Sequence, residues 1–255
     1  MILRQSAIYA VASLVTAVAG VAGVAIFTRL LSPEEYGVYA IAVAEGFTVS
    51  ALLFAWLRHA TLRFQSEGAG VDMWRTALRG FAVSALPVPI AILLFPLSGT
   101  ASIAVVLATV AYTLAFALFE FGQETLRARQ AVSRFVQASI LRSVLALALG
   151  AGAVWMFGGG LYLIMSAAAA FLIAAIYQVV IVHRGSHGPF DTALLHKMIA
   201  YGAPLTIAGF ASALHGMLDR FALGYFHGSG AAGQFSAIAD FTRQCMILPV
   251  AGLFS

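Results

Sequence analysis

The chain has 255 residues, of which 62% are hydrophobic and 9% charged, with a formal net charge of +4. Soluble domains carry about 25% charged residues, so this composition excludes an ordinary soluble enzyme. The basic excess sits in short loops between apolar runs, which excludes a nucleic-acid-binding surface as its reason.

Eight apolar segments follow in order, at about 5–27, 36–57, 76–97, 101–119, 138–157, 160–182, 198–220 and 231–255. Each is near the ~20 residues that carry a helix across ~30 Å of hydrocarbon. The first is too long for a signal-peptide core and runs on into a second span, so it reads as an uncleaved helix. The third holds Pro87, Pro89 and Pro96; proline inside a spanning helix means a kink or break, serving either packing or a hinge. Glu120 to Arg134 is polar at helical spacing and extends segment 4 into the cytoplasm. Residues 98–100 and the glycines 158–160 are tight outer connections, whereas inner loops 58–75, 120–137 and 183–197 are longer. Ala208, Ser212 and Gly216 form a small-residue stripe on segment 7, read as a helix-packing face.

The loop charges orient the bundle. With the N-terminus in the cytoplasm, Arg4, Arg58, Arg63, Arg75, Arg79, Arg127, Arg129, Arg134, Arg142, Arg184 and Lys197 fall on the inner side. Only Arg29 and Arg220 fall at outer ends, and Arg243 falls inside a segment. This is the positive-inside pattern, and its basic face suits anionic lipid headgroups. Cys245 is the only cysteine, so an internal disulfide and a Cys-based metal site are both excluded. No nucleotide loop, His-Glu-x-x-His or Cys-x-x-Cys occurs, so no catalytic residue, metal site or cofactor is expected.

A short repeat organises the chain. Segment 2 opens with Gly37-Val38-Tyr39-Ala40 and segment 8 with Gly233-Gln234-Phe235-Ser236, with Glu45 and Asp240 at similar depth. The repeat has a period of six segments, an even number, so it is parallel, related by an axis along the membrane normal. The expected fold is an all-α multi-pass bundle: one six-helix lobe over 1–190, and the first two helices of a second lobe over 191–255. Gly37 is expected to match Gly233, and Arg29 to match Arg220. Ser255 ends an apolar run with no basic residue after Arg243, which predicts a truncated chain.

The stretch Phe27-Thr28-Arg29-Leu30-Leu31-Ser32-Pro33-Glu34-Glu35-Tyr36-Gly37-Val38-Tyr39-Ala40 resembles the first outer loop of bacterial O-antigen-type polysaccharide flippases. These belong to the multidrug/oligosaccharidyl-lipid/polysaccharide exporter superfamily. Tyr201-Gly202-Ala203-Pro204-Leu205, Leu218-Asp219-Arg220 and Gly233-Gln234-Phe235-Ser236 resemble the start of that family's second lobe. The resemblance implies two six-helix lobes around a cavity in the bacterial inner membrane. It implies transport of an undecaprenyl-pyrophosphate-linked oligosaccharide to the outer leaflet, with a glycan polymerase or export machinery as a further partner.

Charges at membrane depth are the candidate site, because such groups face a cavity or a partner. Glu45 lies ~15 Å into segment 2 by helical rise. Asp240 and Arg243 are about as deep in segment 8, at a spacing that lets them pair. One reading has Arg243, with Arg29 and Arg220, attracting the lipid pyrophosphate, while Glu45, Asp240 or Asp219 balances charge or binds a coupling cation. The other has a structural ion pair that fixes lobe packing. Asp219, with His215 one turn below it, and Arg29 serve either as an outer gate or as helix-end anchors. A drug-cation antiporter of the same superfamily is the alternative function. A membrane glycan polymerase, ligase or glycosyltransferase is the distant one, because the outer loops are too short for a catalytic domain.

Overall fold

The structure is a computed structural model that describes residues 2–67, 73–94, 102–184, 186 and 188–253, with side chains from residue 13 to residue 246 within those ranges. All regular structure among the described residues is helical: α1 (Ile2–Leu30), α2 (Pro33–Glu67), α3 (Trp74–Ala85), α4 (Val88–Leu94), α5 (Ile103–Ala128), α6 (Val132–Phe157), α7 (Gly160–Arg184) and α8 (Thr192–Leu253). Helices long and apolar enough to cross a membrane account for all of it. The protein is an all-α, multi-pass membrane bundle.

Local chemistry sets the helix ends. The expected proline break in segment 3 falls between α3 and α4. Proline has no amide hydrogen to donate, so the ladder stops at Leu86, whose N–H turns back to the Val83 carbonyl at 3.3 Å, and restarts with Ala91 N–H to Pro87 at 2.9 Å. Pro96 and the outer loop 98–100 lie outside the described residues. Ser102 caps α5, accepting from the Val105 amide at 3.4 Å. The glycine turn after α6 needs positive φ at Gly158 (66°) and Gly159 (81°), a region open to glycine. Asp191 caps α8, accepting from the Ala193 and Leu194 amides at 2.8 and 3.1 Å.

Segments 7 and 8 form one 62-residue helical run broken at Gly228 (φ 82°, ψ 172°). Unbroken, it would extend about 93 Å, three bilayer cores long. The break folds it into a hairpin: Arg220 and Asp240, one on each arm, are in contact.

Helix α2 is the centre of the bundle. On one side Gly46 lies beneath Tyr112 and Thr113 of α5, and Phe47 meets Phe116 at 5.8 Å between ring centroids. On the other side Gly202 of α8 lies against the Trp56 backbone, so closely that a Cβ there would overlap it. At the end expected to face inward, Leu57, Trp74, Phe121, Leu126 and Met198 form one buried cluster, with Trp74 stacked on Phe121 at 5.4 Å. At the opposite end, expected to face outward, Phe27, Leu31, Tyr36, Val154 and Leu163 form another.

The first arm of α8 packs through Gly202, Ala213, Met217 and Phe221. The expected face of Ala208, Ser212 and Gly216 is instead exposed, and a Cβ on Gly216 would touch nothing. The reason is Gly202: backbone-to-backbone contact with α2 fixes the rotation of this arm and turns the stripe away.

Candidate functional site: a two-chambered cavity lined by arginines

The two arms of α8 meet α2 in a reciprocal contact at the outer end. Gly37 lies against the Ser229 carbonyl, and Gly233 against the Pro33 carbonyl. Each glycine touches the residue four positions before the other, at one constant offset of 196 residues. A rotation axis passing between the two glycines produces this reciprocity. Any side chain larger than hydrogen would force the helices apart, so the two glycines seal the outer end.

Beneath that seal lies an upper chamber of about 330 Å³ between α1, α2, α5, α6 and both arms of α8. A lower chamber of about 320 Å³ continues toward the inner ends of α5 and α6. Thr16, Arg142 and Gln244 line both.

Three arginines and one carboxylate line the upper chamber: Arg142, Arg220, Arg243 and Asp240. Arg220 is 5% exposed and donates to Asp240. The Tyr36 hydroxyl approaches the other Asp240 oxygen at 3.4 Å, carrying the contact across to α2. Arg142 donates to Ser143 Oγ at 2.8 Å and lies 5.3 Å from the centre of the Phe171 ring. Ser143 Oγ is bonded to the Ser139 carbonyl at 2.9 Å and lies 3.3 Å from Thr16 Oγ1 on α1.

Of the sequence candidates, the structure brings together Arg243, Arg220 and Asp240. The expected Asp240–Arg243 pairing is replaced by Asp240–Arg220, because the fold at Gly228 brings the buried Arg220 level with Asp240. Arg243 is exposed at the chamber wall, with no ion pair among the described residues. Glu45 is buried at 8% exposure but lines neither chamber. Arg29, Asp219 and His215 are exposed and outside both, so Arg29 and Arg220 occupy unlike surroundings.

Arg142 was missed as a site residue. The sequence reading places it on the inner side, because it stands only four residues into the apolar run that begins at 138. Helix α6 begins at Val132, which places Arg142 ~15 Å along it. Arg243 is therefore not alone at depth. The long polar side chains of the first turns of α6 were the available signal. Among the described residues no group of three or more His, Cys, Asp or Glu could hold a metal ion.

Chemically, this arrangement offers fixed positive charge in a largely apolar shell. Three guanidiniums against one carboxylate attract an anion that offers a pair of acceptor oxygens to the planar guanidinium fork, such as a phosphate.

Solved structures share this fold. The MATE multidrug transporter DinF-BH superposes with a TM-score of 0.67 at 15% identity, covering 97% of this chain and 61% of its own. The outward-facing conformation of a multidrug resistance MATE family transporter of the MOP superfamily gives 0.55 at 18% identity, covering 99% and 68%. A MOP superfamily transporter from Pyrococcus furiosus gives 0.52 at 17% identity, covering 99% and 67%. The chain thus spans about three fifths of the length of the first of these. No curated protein matches the sequence. The family described as polysaccharide biosynthesis protein matches residues 2–250, nearly end to end, and the chain belongs to that family.

Proposed function

We propose that the chain belongs to a flippase that moves a polyprenyl-pyrophosphate-linked oligosaccharide from the cytoplasmic to the outer leaflet of the bacterial inner membrane. It acts as a transporter rather than an enzyme, in O-antigen-type polysaccharide biosynthesis, and delivers substrate to a glycan polymerase or export machinery. Residues 1–190 form the first lobe and 191–255 open the second, a division supported by the reciprocal Gly37–Gly233 contact. The observation that carries the reading is the charge of the upper chamber, where Arg142, Arg220 and Arg243 face Asp240 alone. A cationic drug would meet net repulsion there, and a pyrophosphate finds counter-charges that stay protonated. Arg243, free of a described ion pair, is the arginine available to substrate, while Asp240 balances Arg220 when the site is empty. Glu45 and Asp219 lie outside the chambers, which leaves charge balance there to Asp240.

The test uses the full-length protein in a strain whose own O-antigen-type flippase is deleted. Wild type restores surface glycan. Arg243→Ala abolishes export with the protein still present in the membrane, and Arg243→Lys retains part of it, since lysine keeps the charge but loses the fork. Normal export by Arg243→Ala rejects the binding role. Extrusion of cationic dyes without glycan export would favour the antiporter.

A further inference from the structure

We propose that Phe171, on α7 and behind the chamber wall, is a positioning residue whose ring face holds the Arg142 guanidinium at the chamber junction, ready for a phosphate; this rests on the flippase reading above. The three arginines of the upper chamber are held in three different ways. Arg220 is committed to Asp240, whose other carboxylate oxygen is approached by Tyr36. Arg243 is exposed at the wall. Arg142 lines both chambers and makes no ion pair among the described residues. The carboxylates of the lower chamber, Glu120 and Glu124, pair with Arg58 and Arg127 instead.

A guanidinium in a largely apolar shell needs a partner, and the partner decides what the group can still do. A carboxylate neutralises it and fills its fork. An aromatic face attracts it through the ring quadrupole, leaves its net charge in place and takes none of its donors into a salt bridge. Arg142 has the second kind of partner: its guanidinium carbon lies over the Phe171 ring, 5.3 Å from the centre. One N–H is used by Ser143 Oγ at 2.8 Å. A guanidinium carries five such donors, so most remain for an anion.

Phe171 is itself held in place. Tyr112, Phe116 and Phe119 of α5 meet it at centroid distances of 5.7, 5.3 and 5.4 Å and interplanar angles of 84°, 84° and 72°. Three rings near right angles to it, all on one neighbouring helix, fix its plane and so the place of the guanidinium above it. Ser143 is the second fixed point, since its own hydroxyl is bonded to the Ser139 carbonyl at 2.9 Å. Tyr112 lines the upper chamber and Phe119 the lower, so the aromatic wall meets the junction from both sides. Arginine otherwise has many rotamers to lose on binding, and a ligand that finds it already placed does not meet that entropy loss.

The experiment changes the electrostatics of the ring with little change in its size. In the full-length protein, Phe171 is replaced through an amber codon by mono-, di- and trifluorophenylalanine. Binding of undecaprenyl pyrophosphate in nanodiscs is measured by native mass spectrometry, with undecaprenol as the probe that lacks phosphate. Fluorine withdraws electron density from the ring face and weakens its hold on a cation. Affinity for the pyrophosphate lipid is expected to fall stepwise, by about tenfold at the trifluoro ring, while undecaprenol binding does not move. In an Arg142→Gln background the lipid binds more weakly and the fluorine series is flat, because the ring has no cation left to hold. Arg142→Met serves the same comparison if Arg142→Gln does not fold. Affinity that ignores fluorination or rises with it overturns the proposal, as does Arg142→Gln binding like wild type. A decline that persists unchanged without Arg142 shows that the ring acts through packing, and also overturns it. Equal wild-type affinity for the two lipids defeats the flippase reading itself.

Discussion

Arg220 shows how much one side chain depends on its partner. It is 5% exposed, and Asp240 is the carboxylate that compensates it. Removing one member of a buried pair leaves an uncompensated charge and costs about 3–5 kcal/mol, whereas replacing both with apolar residues of similar size is often neutral. Asp240→Ala is therefore expected to lower the melting temperature in detergent sharply. The double variant Arg220→Met with Asp240→Leu should recover most of that loss. Strictly additive losses in the double variant would show that the two do not couple. Arg243→Ala should stay within about 0.5 kcal/mol of wild type by the same measurement, as for other exposed positions without partners.

At the scale of the helix, glycine positions separate into those the backbone requires and those it merely tolerates. Gly228 has φ 82° and ψ 172°, a region essentially reserved for glycine, and nothing surrounds the place where a Cβ would go. Gly228→Ala should thus lose about 1–3 kcal/mol from backbone strain alone. Gly216 is helical and equally open, so Gly216→Ala should gain up to about 1 kcal/mol. Thermal melts of the two variants should move in opposite directions, and equal shifts would reject the strain argument. The same contrast explains what could be read from the sequence. Apolar runs marked the spans and the prolines marked the break in segment 3, because burial in lipid and a missing amide are local properties. Helix ends were misplaced, since α2 continues to Glu67 and α6 starts at Val132. A helix that leaves the apolar layer keeps its hydrogen bonds but loses its hydropathy signal. The Arg220–Asp240 pair and the Gly202 contact were not legible, because each depends on how two distant helices rotate against one another.

For the molecule as a whole, the charge distribution predicts an orientation for the seal and the cavity. The Gly37–Gly233 contact closes one end, and the chambers run from it toward the inner ends of α5 and α6. Basic residues gather at that second end. Arg129 donates to the Val182 carbonyl at 3.3 Å and to Ser186 Oγ at 2.7 Å, tying the α5–α6 turn to the C-terminus of α7, where a cation also meets the negative end of the helix dipole. Arg58 and Arg127 pair with Glu120 and Glu124 nearby. Positive-inside bias predicts that this end lies in the cytoplasm and the seal outside. The exposed positions Ser133, after the α5–α6 turn, and His227, beside the break in α8, report the two sides. In a Cys245→Ser background, His227→Cys should react with a membrane-impermeant maleimide on intact cells. Ser133→Cys should react only after permeabilisation. The reverse pattern would invert the bundle, placing the seal in the cytoplasm and opening the arginine-lined chambers to the wrong leaflet for loading a lipid-linked glycan.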